Sequence, residues 1–155
     1  TARAASENDQ NYIIYRLADV LLMKAEALIM QGHNEDAADL IDRTRERAGL
    51  GETTLSDDRM VMLETLLVER QKEFFGEGKN WFDLLRIGLR SEQLNDTQYK
   101  TLFVEQALKA VGASRQSLGR ATLANSGSWY LPYSEDELSK NPLLEQSDYY
   151  QSISN

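Results

Sequence analysis

Both prolines of the chain, Pro132 and Pro142, lie near its end, so residues 1–131 pass without the one residue that outright breaks a helix. An almost entirely helical body is predicted. From Tyr12 onward Ile14, Leu17, Ala18, Leu21, Leu22, Ala25, Leu28 and Ile29 recur three and four apart, with Arg16, Asp19, Lys24 and Glu26 between them. That apolar face is broad enough to predict a first helix buried on more than one side. Gly32 is placed to end it in a left-handed cap, and Asn34 to cap the next helix, whose first turn carries Glu35 and Asp36. Ala37, Ala38, Leu40, Ile41 and Thr44 form the inner stripe of this second helix, and Arg43, Arg45 and Arg47 gather at its C-terminal end before Gly49. The pair reads as a tight antiparallel hairpin over 12–49.

Ser56 is the N-cap candidate for a third helix, carried by Met60, Leu63, Leu67, Val68, Phe74 and Phe75 to the break Gly76-Glu77-Gly78. A short fourth helix with Trp81, Phe82, Leu84, Leu85 and Ile87 ends at Gly88, giving a second helix pair over 56–90. Weaker helices over 98–111 and 115–124 fill a variable insertion, 91–128. After Ser126-Gly127-Ser128 the run Trp129 to Pro132 is expected to be extended, because a residue before proline avoids the helical region. Ser134 to Glu137 is a capping box that opens one short helix, and the tail to Asn155 has little to pack. Residues 1–11, small and polar, are expected to be a flexible lead-in to one domain over 12–155.

Composition excludes several functions. Lys and Arg number 17 against 25 Asp and Glu, a net charge of −8, so the summed field repels nucleic acid. No cysteine and one histidine, His33, leave no thiol nucleophile, disulfide framework, thiolate zinc site or multi-histidine metal centre within the chain. His33, alone in a turn, reads as a solvated linker residue.

The first hairpin resembles a tetratricopeptide unit, with Leu21, Ala25, Leu28, the turn Gly32, Ala37 and Ile41 at the expected offsets. Thr44 departs from the usual small apolar residue, and Gly49 stands where proline often closes the repeat. A more specific resemblance joins five segments: Tyr15 to Ala27, the run "RTRERAG" from Arg43 to Gly49, Glu69-Arg70 with Glu73-Phe74, Gly78 to Arg86, and the closing Leu131-Pro132-Tyr133 through Tyr149. In this order they resemble the C-terminal part of the SusD/RagB family of surface nutrient-binding lipoproteins. The resemblance implies an all-α, tetratricopeptide-containing fold with a loop-rich C-terminal segment. It also implies non-catalytic capture of an oligosaccharide, less often a peptide, and delivery to a SusC-like TonB-dependent outer-membrane transporter. The protein is then anchored at the cell outer membrane by a lipid outside this chain, with the N-terminal part of the same protein as a partner. No cofactor, metal or catalytic group is implied. The rival reading, a tetratricopeptide adaptor gripping a peptide in a concave groove, predicts at least three stacked units, of which one is clear.

Glu69, Arg70, Glu73, Asp83 and Arg86 could be taken for a glycosidase carboxylate set, but helix-borne acids and arginines at these spacings more often lock helices together. A structural ion-pair network of Arg16, Asp19, Glu26, Arg45, Glu69, Arg70, Glu73, Asp83 and Arg86 is therefore expected. Glu135-Asp136-Glu137 lacks the spacing of a calcium loop, and capping accounts for it better. Trp81 and Phe82, amid apolar helical spacing, are assigned to the core. Tyr99 and Phe103, with Trp129 and Tyr130, are the candidates for stacking on a sugar face.

Overall fold

The computed structural model describes residues 13–154, so the lead-in expected over 1–11 lies outside the described residues. The fold is all-α: among the described residues there are eight α-helices, one 3-10 turn and no strand. The chain divides into two compact units, Thr1–Gly78 and Lys79–Asn155.

In the first unit α1 (Leu17–Gln31) and α2 (Asn34–Arg47) are joined by Gly32 and His33. Gly32 adopts φ +83°, where a side chain is strained, and its amide with that of His33 donates to the last carbonyls of α1. This cap folds α2 back on α1, as its sequence predicts. Asn34 does not cap α2; its amide instead donates to the Ser56 carbonyl at 2.8 Å. The connector is pinned further where Asp42 accepts from the Thr53 amide at 2.7 Å and Arg45 donates to the Gly51 carbonyl at 2.7 Å. α3 (Arg59–Glu73) packs on both earlier helices. Its N-cap is Asp58, accepting from the Met60 and Val61 amides, while Ser56 accepts from the Asp58 amide one step upstream. Leu22, Ala25 and Ile29 of α1, Ala37 and Ile41 of α2, and Met62, Leu63, Leu66 and Leu67 of α3 are the unit's most deeply enclosed apolar residues.

The second unit holds α4 (Asn80–Leu94), α5 (Thr97–Leu108), α6 (Ala113–Leu123), the 3-10 turn Ser126–Trp129, α7 (Glu135–Lys140) and α8 (Asp148–Ser154). The helix pair expected over 56–90 is thus divided, α3 in the first unit and α4 in the second. Gly88 does not end α4, which continues to Leu94; the glycine is there because a Cβ would lie 3.0 Å from both the Phe103 and Trp129 rings. The stop is Asn95, in the left-handed region at φ +51°, followed at once by Asp96, whose carboxylate accepts from the Gln98 amide at 2.9 Å. Two turn-forming residues therefore lay α5 against α4. Trp129 closes the 3-10 turn, and only from Tyr130 is the chain extended. Ser134 caps α7 as predicted, accepting from the Glu137 amide at 3.2 Å. The tail is more ordered than expected: α8 contacts the 3-10 turn, and the Tyr150 hydroxyl donates to the Tyr130 carbonyl at 2.7 Å.

Candidate ligand-binding residues and the ion-pair lock

Three of the four aromatic candidates are enclosed, which corrects their assignment as sugar platforms. Phe103 packs against Trp129 with ring centroids 4.5 Å apart and receives the edge of Trp81 at 5.7 Å. The Trp129 indole donates to the Leu123 carbonyl at 2.9 Å, so its polar edge is spent inside the unit. Tyr99, four residues before Phe103, is buried on the same face of α5. That spacing also suits a core stripe, and the close approach at Gly88 decides between them. Tyr130 alone keeps an open ring, 51% exposed. Phe82, assigned to the core, is 68% exposed, and Trp81 is partly exposed. Asp83 and Leu84 occupy the inward positions of that turn instead.

The charged residues form ion pairs that tie elements together. Arg70 of α3 donates to Asp19 of α1 at 3.0 Å, with both side chains buried. Arg45 of α2 reaches Glu69 of α3 at 3.1 Å, and the Thr44 hydroxyl, donating to the Ile41 carbonyl at 2.7 Å, lies 3.4 Å from the same carboxylate. Thr44 therefore stands at a small-residue position because a buried carboxylate faces it. Glu73 is held by Arg47 at 2.6 Å and by Arg16, which also takes the Glu73 carbonyl and Glu77 at 2.8 Å. The bond to Glu77, then that to Glu73, raises the Arg16 pKa above its ordinary value despite partial burial. The guanidinium carbons of Arg16 and Arg70 lie 4.6 and 4.8 Å from the Phe74 ring centroid. In the second unit Arg86 donates to the buried Asp83 at 3.1 Å. Glu26 is buried in α1.

Sequence reasoning missed a polar cavity of about 360 Å³ in the first unit, lined by Gly32, His33, Asn34, Asp36, Asp57 and Arg59 among others. Its walls are two capping turns, and only the tertiary path of the connector brings them together. None of the described helices is long and apolar enough to cross a membrane.

Comparison with known proteins places these features. The family model described as the SusD family matches residues 1–150. SusD-like protein P38 of Formosa agariphila is 37% identical over 89 residues, 52% of this chain and 18% of that protein. SusD-like protein P25 of the same organism is 28% identical over 144 residues, 91% of this chain and 24% of its own length. The crystal structure of a SusD superfamily protein from Bacteroides fragilis superposes with a TM-score of 0.61 at 28% identity, covering 88% of this chain and 28% of that one. The chain thus spans less than a third of the length of each of these relatives, and it belongs to the SusD family.

Proposed function

We propose that the protein carrying this chain captures an oligosaccharide at the outer surface of a Gram-negative cell and passes it, unbroken, to a TonB-dependent outer-membrane transporter. A lipid outside these residues anchors it there. The observation that carries this reading is the family match across residues 1–150. The ion pairs support a binding role over a hydrolytic one: Glu69, Glu73 and Asp83 each face an arginine, whereas a glycosidase needs two carboxyl groups free to exchange protons across a cleft. In this reading the helices are a scaffold, and Tyr130 is the chain's own candidate for a stacking contact.

The test uses the full-length polypeptide without its lipid, titrated calorimetrically against a panel of neutral oligosaccharides, with chromatography of the sugar after incubation. Saturable binding with the sugar recovered intact, and co-purification with a β-barrel transporter from host membranes, are the expected results. Shortened sugar chains, or binding of peptides and of no glycan, would sink the proposal. Tyr130→Ala is expected to weaken binding by about 1 kcal/mol while leaving the helical signal unchanged, on the scale of one aromatic stacking contact.

A further inference from the structure

Four residues after the 3-10 turn are held in place without being enclosed. Tyr130 is 51%, Leu131 91% and Tyr133 48% exposed, and Pro132 between them is exposed as well. Apolar side chains left in water give a loop no reason to keep one shape, so its order has to come from bonds to its backbone. The Gln146 side chain grips both polar groups of Tyr133 as a neighbouring strand would: Oε1 accepts from the Tyr133 amide at 3.2 Å, and Nε2 donates to the Tyr133 carbonyl at 3.0 Å. The Tyr150 hydroxyl holds the Tyr130 carbonyl at 2.7 Å. Gln146 is itself tied down, its carbonyl accepting from the Gln151 side chain at 2.5 Å.

Pro132 sets the shape that these bonds keep. It fixes its own φ and bars Leu131 from the helical region, and both ends of the segment are extended, Tyr130 at ψ 153° and Ser134 at ψ 150°. A chain of this kind turns once in three residues and rises about 3.1 Å per residue, which returns Tyr130 and Tyr133 to one edge about 9 Å apart. Each phenol offers an apolar face and a hydroxyl tip, the pair of contacts that suits a sugar ring with its C–H face and rim of hydroxyls.

We propose that Tyr130 and Tyr133 form one two-ring platform for neighbouring units of a linear, uncharged oligosaccharide, with Gln146 and Tyr150 as the positioning residues that hold the rings at that spacing. This rests on the capture reading above and adds to it a second ring, a length requirement and a charge preference. Rings fixed before the sugar arrives spare the complex the cost of ordering them. The charge preference comes from the surroundings: residues 129–155 carry five side-chain carboxylates against Lys140 alone, a field that repels uronates and sulfated sugars.

The test is calorimetry on the full-length protein without its lipid. The probes are cellohexaose, maltohexaose, xylohexaose and mannohexaose, the monosaccharide of each, and trigalacturonate. A hexaose is expected to bind about tenfold or more tighter than its monosaccharide. Tyr133→Ala is expected to weaken that binding about fivefold, and Tyr130→Ala with Tyr133→Ala about twentyfold, with the melting temperature unchanged. Tyr133→Phe keeps the ring and is expected to stay within about twofold of the wild type. Gln146→Leu is expected to cost about threefold, as a loss of binding entropy at an unchanged melting temperature. Leu118→Ala, 70% exposed on α6, is the control and keeps wild-type affinity. Wild-type affinity in Tyr133→Ala overturns the inference and leaves the capture reading standing. So does a melting temperature that falls with the affinity in Tyr133→Ala, because the ring is then covered by protein. A monosaccharide bound as tightly as its hexaose, or trigalacturonate bound as tightly as any hexaose, overturns it too. If none of the probes binds, the capture reading falls, and this inference with it.

Discussion

Gly88→Ala sets two calculable effects against each other. Replacing a mid-helix glycine by alanine stabilises a helix by about 1 kcal/mol where the methyl meets open space. Here the methyl would lie 3.0 Å from Phe103 Cγ and from Trp129 Cζ3, and 3.2 Å from Trp129 Cη2. Carbon contacts are optimal near ~3.5–4.0 Å, so the rings have to retreat by about half an ångström or more. Neither is free to do so: both are buried, they pack on each other, and Trp129 is held by its bond to the Leu123 carbonyl. Overpacking a core by one methyl costs about 1–3 kcal/mol, which leaves a net loss of about 1 kcal/mol once the helix gain is subtracted. Hydrogen exchange in the full-length protein reads this locally. Amides of α4 and α5 are expected to exchange about fivefold faster, while those of the first unit stay unchanged. Slower exchange in α4 would refute the argument, because helix propensity would then outweigh the ring contact. Gly119→Ala is the control: its methyl meets a terminal methyl of Leu108, the far end of a side chain that can turn away. There α6 is expected to exchange no faster than in the wild type.

Arg70→Met leaves the buried Asp19 carboxylate without this partner, and a loss of about 3–5 kcal/mol is expected, visible as lower soluble yield and a lower melting temperature. Adding Asp19→Leu to it is expected to restore part of that loss, since apolar replacement of a whole buried pair is often neutral. Asp58→Ala removes the cap of α3 and is expected to cost about 1 kcal/mol, with Ser56→Ala costing less, both measured by denaturant titration. The bond from Arg120, at 3.0 Å on one oxygen, holds Glu105 below the ordinary glutamate pKa. The unfolded chain therefore takes up this proton at a higher pH than the folded one. The pair's contribution is complete above the usual glutamate range and is lost as pH falls through the lowered value. An NMR titration of the Glu105 side-chain carboxyl carbon checks this: its midpoint should rise towards the ordinary value in Arg120→Gln.

The helices were legible where the signal is local. Gly32 and Gly49 follow apolar stripes that run out; Gly32 adopts the left-handed cap that its position predicts, and Gly49, just past the end of α2, lies in the left-handed region too. Gly88 looks the same in sequence, yet its reason is a ring approaching from fifteen residues downstream, which no window around it contains. Ser56 and Asp58 are both good caps two residues apart, and the choice between them depends on where α3 docks. Tyr99 and Phe103 show the limit for the candidate site. A four-residue aromatic spacing defines one face of a helix but not whether that face meets water or another helix. For the charged residues of the first unit, the ion pairs between elements link positions 24 to 61 apart in sequence, from Arg45 with Glu69 to Arg16 with Glu77.

The placement of the two indoles makes the chain its own spectroscopic reporter. Trp81 and Trp129 are its only tryptophans, and both belong to the second unit. Trp129 is enclosed by Phe103 and Gly88, so it is expected to emit at short wavelength and resist acrylamide, while the partly exposed Trp81 is expected to be quenched. Tryptophan emission from these residues follows the second unit alone, whereas far-ultraviolet circular dichroism sums the helices of both. If the two curves separate on denaturation, the units melt independently; if they coincide, the pair unfolds as one cooperative body.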